Sequence, residues 1–282
     1  EGCVDEGACN FDPIATSDDG SCEYCSCAEP VVDPVPYPLL IEASPSVMPG
    51  MTVYRFYVMM QDPSDRMSAV YGENNDNLSI QCPQGAYNST LNPGWSAAGI
   101  TPAFLTFFPE LVNDSYGTIG LEGPASLGAD GAEEPVLVED SNEFIQSLFT
   151  EDGNTGFEIT TVIGGSWFVT SSASNGLPDE NLQVLILQLT TSGSISGRLN
   201  YQVFPLGVGA DEERVSLDFD GAGVFGLGSN GNSCGCTDSE ALNYEPDAVY
   251  DDGSCEYILT GCTDETACNF DSNAQIDDGS CV

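Results

Sequence analysis

Three stretches of this chain, Gly2–Tyr24, Gly235–Tyr257 and Gly261–Val282, follow one pattern: G-C-x-D-x-x-A-x-N-[FY]-x-x-x-A-x-x-D-D-G-S-C. A unit of about twenty residues with so few apolar side chains cannot bury a core of its own and needs a staple. The first and last cysteines of each copy recur at one spacing, so Cys3 and Cys22, Cys236 and Cys255, and Cys262 and Cys281 are natural disulfide partners. Closing a loop of about twenty residues contributes roughly 3 kcal/mol in the chain-entropy account.

The carboxylates of the three copies are also in register. Asp5, Asp12, Asp18 and Asp19 correspond to Asp238, Glu245, Asp251 and Asp252, and to Asp264, Asp271, Asp277 and Asp278, with no basic residue inside any copy. Clustered acids repel one another, and a bound cation is the simplest remedy. Oxygen ligands beside the sharp Asp-Asp-Gly turn suit Ca²⁺, whereas Zn²⁺ would want imidazole or thiolate. The expected ligand pool is those carboxylates together with Asn10, Asn243 and Asn269. The competing reading is a set of solvated acidic turns in a disulfide knot. The EF-hand loop pattern is missing.

Composition narrows the function classes. The formal net charge is −41 and the only basic residues are Arg55, Arg66, Arg198 and Arg214; lysine and histidine are absent. Such a field repels phosphate backbones, which argues against nucleic-acid binding. Without His there is no Ser-His-Asp or Cys-His pair, and without Lys no Schiff base or phosphate-loop lysine, so only carboxylate chemistry survives.

Twelve cysteines crowded toward the two ends point to an oxidising, extracellular compartment. Beyond the three repeat pairs, Cys9, Cys25, Cys27, Cys82, Cys234 and Cys268 remain; Cys9 with Cys27 is the favoured local pair, and the pairing of the other four stays open. Sequons at Asn77, Asn88 and Asn113 make these glycosylation candidates. No apolar run reaches the roughly twenty residues of a membrane span, and insertion into a membrane is not expected. The sequence reads as a mature or excised portion of a longer secreted precursor.

Along the chain, residues 1–29 form the first acidic repeat, and 30–38, with Pro30, Pro34, Pro36 and Pro38, a stiff linker. Residues 39–220 have the texture of a globular domain, 221–233 a Gly-rich linker, and 234–258 and 259–282 the second and third repeats. Alternating or β-branched runs at Thr52–Met59, Glu158–Ile163, Ser166–Thr170, Leu182–Thr190, Arg198–Phe204 and Arg214–Phe219 predict strands. Short helices are predicted over Thr101–Leu111 and Ser141–Phe149, the second with Ser141 as N-cap. The fold class is mainly β: an antiparallel β-sandwich, jelly-roll-like, flanked by small disulfide-stapled, metal-binding repeats.

The unit ending Asp-Asp-Gly-Ser-Cys, with Ala-Cys-Asn-Phe in the first and third copies and Ala-Leu-Asn-Tyr in the second, closely resembles the Gly-Cys-Thr-Asp repeats of large secreted and surface proteins, many from marine bacteria. In its Asp-rich loops it is distantly similar to the thrombospondin type 3 calcium repeats. The resemblance covers about a quarter of the chain and implies an extracellular stalk, spacer or adhesion module. Leu242 stands where the other copies have Cys9 and Cys268, so bridging in the second copy must differ.

In the middle domain the acid pairs Glu133/Glu134, Glu139/Asp140 and Asp179/Glu180 lie in Gly/Pro/Asn-rich loops where solvated acids are ordinary, and catalysis is not expected. Trp95 and Trp167 are possible sugar-stacking platforms, although a Trp within an alternating strand is more often core. The four arginines are expected to serve as ion-pair partners. The expectation is a structural protein whose copies join head to tail through the terminal repeats; the alternative is a calcium-dependent module binding surface glycans.

Overall fold

The computed structural model describes residues 34–227 continuously and, of the chain ends, residues 2–4, 8, 10, 13–17, 20–22, 234–238, 241, 250–251, 253–255, 257, 260–263, 267–269, 276–277 and 279–282. The chain divides into two compact units, one spanning Pro34–Leu227 and one made of Glu1–Asp33 with Gly228–Val282.

The first unit is mainly β. Its strands are β1 (Leu39–Pro45), β2 (Thr52–Met59), β3 (Arg66–Gly72), β4 (Leu78–Gln81), β5 (Tyr116–Gly117), β6 (Val136–Val138), β7 (Gly156–Ile159), β8 (Gly165–Phe168), β9 (Gln183–Thr191), β10 (Ser196–Phe204), β11 (Glu213–Asp220) and β12 (Gly223–Phe225). They form two antiparallel sheets. One has the order β12-β1-β2-β9-β5; the other runs β6-β8-β3-β10-β4-β7, with β11 along the remaining edge of β10.

Alternation in the sequence sets which side chains meet between the sheets. In β1, Leu39 and Ile41 are buried while Glu42 is exposed; in β2, Phe56 and Val58 turn inward while Arg55 and Tyr57 turn outward. From the other sheet Val70, Ile80, Trp167, Leu199, Tyr201 and Phe219 meet them. Phe56 and Phe219 touch edge to face at 5.3 Å between ring centroids, so the two sheets pack directly. Each fully buried Leu, Ile or Phe contributes about 1.5–3 kcal/mol relative to exposure.

Polar groups tie the layers at defined points. The pairing of β2 with β9 shifts register after Phe56, leaving Ile186 as an extra residue between Leu187 and Leu185. The Ile186 carbonyl therefore turns to other donors, and it accepts both the Thr118 N–H and the indole N–H of Trp167 from the opposite sheet. The same indole also donates to the Thr118 carbonyl at 3.1 Å, satisfying a donor that would be costly to bury alone. Tyr201 donates its hydroxyl to the Tyr37 carbonyl, and fully buried Asn200 donates to the carbonyls of Tyr71, Asp76 and Asn77, pinning the β3–β4 turn.

β9 is buried on both faces because the segment before β5 folds over the outer side of its sheet. Ala97, Ile100, Leu111 and Tyr116 pack there against Leu185 as a second, smaller core. This segment contains α1 (Pro102–Leu105) and a 3-10 turn over Pro109–Asn113 in place of the single helix predicted over Thr101–Leu111. The helix predicted over Ser141–Phe149 is reduced to α2 (Ser147–Thr150). Glu139 accepts the N–H groups of Ile145 and Gln146, and Asp140 accepts that of Asn142, so side chains take the donors a longer helix would use. Ser141 is not an N-cap.

Both predicted linkers shorten where they meet this unit. β12 lies within 221–233 but pairs with β1, and the Val35 N–H donates to the Gly226 carbonyl at 2.8 Å. The sheet thus extends past residue 220. No described helix is long and apolar enough to cross a membrane.

Candidate functional site

The three repeats close alike. Disulfides join Cys3 to Cys22, Cys236 to Cys255 and Cys262 to Cys281, with Cα separations of 4.7, 4.7 and 4.8 Å. The first cysteine of each pair is buried, as is the following alanine in the two copies where it packs most closely, Ala8 and Ala241. In the second and third copies the two residues before the first cysteine of the pair form a short ladder. Cys234–Gly235 pairs in parallel with Tyr250–Asp251, and Thr260–Gly261 with Ile276–Asp277. The first copy shows the equivalent contact, Gly2 N–H to the Ser17 carbonyl at 3.2 Å.

The asparagine of each copy, expected from sequence in the metal-ligand pool, has a hydrogen-bond partner for its amide where it is described. Asn10 donates its amide to the Ser21 carbonyl, and Asn269 donates at the same place in its copy to the Ser280 carbonyl at 2.7 Å. The Asn269 side-chain oxygen also accepts the Val282 N–H at 2.9 Å, while the Cys268 N–H donates to the Val282 carbonyl. These amides lock the end of the loop to its middle, a task for which an Asn offering donor and acceptor is suited. Asn243 lies outside the described residues.

Among the carboxylates, Asp238 is described, and it accepts the Tyr257 hydroxyl at 2.7 Å. Asp251 and Asp277 are placed by their backbone, opposite Gly235 and Gly261 in the parallel ladders. Asp5, Asp12, Asp18, Asp19, Glu245, Asp252, Asp264, Asp271 and Asp278 lie outside the described residues. Among the described residues, no three carboxylates, imidazoles or thiols form a metal-holding group. Six cysteine sulfurs are consumed in disulfides and imidazole is absent, so thiolate or histidine ligation from the repeat pairs is closed off.

The remaining cysteines divide. Cys82 is buried with no disulfide partner, donates weakly to the Asn154 carbonyl, and has its thiol pushed up to about 11 by burial, so it packs as a small apolar side chain. Cys268 carries no disulfide and is exposed. Cys9, Cys25 and Cys27 lie outside the described residues, and with them the Cys9–Cys27 pair.

The sequons also separate on burial. Asn88 is buried and gives its amide N–H groups to the Leu148 and Glu151 carbonyls; Asn113 is buried and accepts from the Ser46 hydroxyl and the Val47 N–H. Neither side chain is open to a glycan in this fold, because the sequence motif carries no information on packing. Asn77 is exposed in the turn just before β4.

In the first unit the paired acids stabilise loops. Glu133 accepts the Thr170 hydroxyl, Glu134 the Ala125 N–H, and Asp179 the N–H groups of Asn181 and Gln183. Trp167 is fully buried. Arg55 pairs with Glu122 at 2.7 Å, Arg198 with Asp218 at 3.1 Å and Arg214 with Glu212 at 3.4 Å, while Arg66 donates to the Ala173 carbonyl.

One carboxylate was not singled out by any sequence motif. Asp114 is fully buried with no cation beside it; burial pushes its pKa up to about 7 against the downward pull of hydrogen bonds from Ser89, Asn92 and Ser115, and Asp152 pushes it further up. It accepts the Ser89 N–H at 2.6 Å and the Asn92 amide at 2.8 Å. It thus anchors the loop around 88–92 to the second core. Nothing in its local sequence separates it from the solvated acids around it. Comparison of the chain with protein-family models, curated proteins and solved structures finds no match.

Proposed function

We propose that this is a secreted structural protein, a calcium-stabilised subunit of an extracellular filament, appendage or matrix, whose copies assemble head to tail through the terminal repeats around a jelly-roll-like body. The observation that carries this reading is the recurrence of one closed unit at both ends of the chain, with the same cystine, the same short ladder and, in two copies, the same asparagine clamp. A chain that repeats one cystine-closed module can offer more than one joining surface, and a head-to-tail contact between copies that does not close on itself grows into a filament. Calcium held by Asp5, Asp12, Asp18 and Asp19 and their counterparts would offset the mutual repulsion of those acids and stiffen each joint.

The test is sedimentation and electron microscopy of the full chain with millimolar calcium and with a chelator. Particle length that grows with calcium and shrinks on chelation supports the reading. Length and thermal stability indifferent to both would refute it. The second reading, a calcium-dependent module for surface glycans, draws on the outward groove of the seven-stranded sheet, where Tyr71 and Arg214 flank a cavity of about 400 Å³ with Gln202 and Ser166. Chelator-sensitive sugar binding by the monomer, without growth in length, would favour it.

A further inference from the structure

The outer face of the five-stranded sheet holds a cavity of about 420 Å³ between β2 and the segment that folds over β9. Its wall is apolar: Val53, Ile100, Leu105, Val112 and Leu127 line it, and Val112 and Leu127 are 46% and 63% exposed. Single exposed apolar residues need no explanation, but exposed apolar residues on the wall of a hollow mark a place that something apolar can cover.

Apart from the Ser44 hydroxyl, the polar side chains at this cavity are already committed, with one exception. Gln188 gives its amide to the carbonyls of Val112 and Asp114, and Asn113 accepts from Ser46 and Val47. Arg55 is the exception. Among the described residues its buried Nε meets no acceptor, and its Nη2, although 2.7 Å from Glu122 Oε1 in an ion pair, makes no aligned hydrogen bond, while the guanidinium lies 5.5 Å from the centre of the Tyr57 ring. Glu122 is itself 68% exposed. An ion pair with one partner so open to water contributes at most about 1 kcal/mol, so Glu122 is easily displaced. The guanidinium fork suits a carboxylate that bridges two of its N–H groups, an arrangement the present contact leaves incomplete.

We propose that this cavity binds a small carboxylate-tipped apolar molecule, its body against the Val53–Leu105–Leu127 wall and its carboxylate on Arg55 in place of Glu122. The size sets the class: a hollow at the small end of the ~300–1,000 Å³ range of ligand pockets takes a molecule of about a dozen non-hydrogen atoms. The net charge of −41 opposes an approaching anion at long range, and this is screened beyond about 8 Å at 0.15 M salt. The inference is independent of the role given to the terminal repeats.

The experiment is calorimetric titration of the full chain with decanoate and with decanol at 0.15 M salt. Decanoate should fill one site. Glu122→Gln, which removes the resident carboxylate from an exposed position, should tighten decanoate binding several-fold; Arg55→Gln should weaken it at least tenfold while leaving decanol unchanged; Leu127→Glu should weaken both ligands. A gain in Glu122→Gln cannot come from misfolding. Absence of decanoate binding to both the wild type and Glu122→Gln overturns the proposal, as does equal decanoate affinity in the wild type and Arg55→Gln.

Discussion

Replacing Asp114 by Asn tests the reasoning about the buried carboxylate in a quantitative way. In the fold this carboxyl titrates at about 7, chiefly because burial strips its ionised form of water; in the unfolded chain an aspartate titrates near 3.9. The folded protein therefore holds the proton more tightly. Its contribution to stability is complete below about pH 4, falls as pH rises and is gone above about pH 7. The full difference corresponds to about 4 kcal/mol, and relaxation of the 88–92 loop reduces what is measured to about 2–4 kcal/mol. Asp114→Asn cannot titrate, and it faces the Asn92 amide with a donor in place of an acceptor, a cost of about 1 kcal/mol at any pH. The assay is urea unfolding followed by tryptophan fluorescence, since both Trp95 and Trp167 lie in the first unit. Self-repulsion from the net charge affects both proteins alike and cancels in the difference. Between pH 4.5 and 8.5 the variant should gain at least about 2 kcal/mol on the wild type. Two stability curves that run parallel over this range would refute the account.

Four further outcomes follow from the geometry. Trp167→Phe leaves one cross-sheet donor missing and should cost about 1–3 kcal/mol in the same unfolding assay. Cys236→Ser with Cys255→Ser removes roughly 3 kcal/mol from the second repeat, read as faster amide exchange over 234–257 with exchange in 34–227 unchanged. Asn269→Ala removes a donor and an acceptor from the end of the third repeat and should open residues 279–282 to carboxypeptidase, at a cost of about 1–2 kcal/mol. In a glycosylating host, mass spectrometry should find sugar on Asn77 and none on Asn88 or Asn113, so that Asn77→Gln abolishes the mass increment.

What was legible in the sequence tracks how local its cause is. β2 matches its predicted bounds, and β9, β10 and β11 fall within two residues of theirs, because apolar runs, alternating in β2 and continuous in β9, are written in the strand itself. β7 begins earlier than expected, at Gly156, and the apolar pair Val162 and Ile163 that suggested a longer strand is 78% and 77% exposed in the following loop. β1 and β3 were hidden, β1 by the prolines before it and Pro45 at its end, β3 by its Arg, Ser and Gly, since both owe their extended form to pairing partners distant in the chain. The three cystines were readable from spacing alone. The asparagine clamp was not: the carbonyl each amide binds lies eleven residues on, and only the fold brings it back. Asp114 and Arg55 stand out through what surrounds them, and that is a property of packing.

The cystines have a mechanical consequence. Tension applied along the chain passes from Cys236 to Cys255 through the bridge, as it does from Cys3 to Cys22 and from Cys262 to Cys281, and the residues between them never carry load. Drawn straight, a segment of 19 residues would span about 65 Å, and each bridge keeps that length in reserve under oxidising conditions. A tether made of such links stays short under pull and lengthens only when a reductant cuts it.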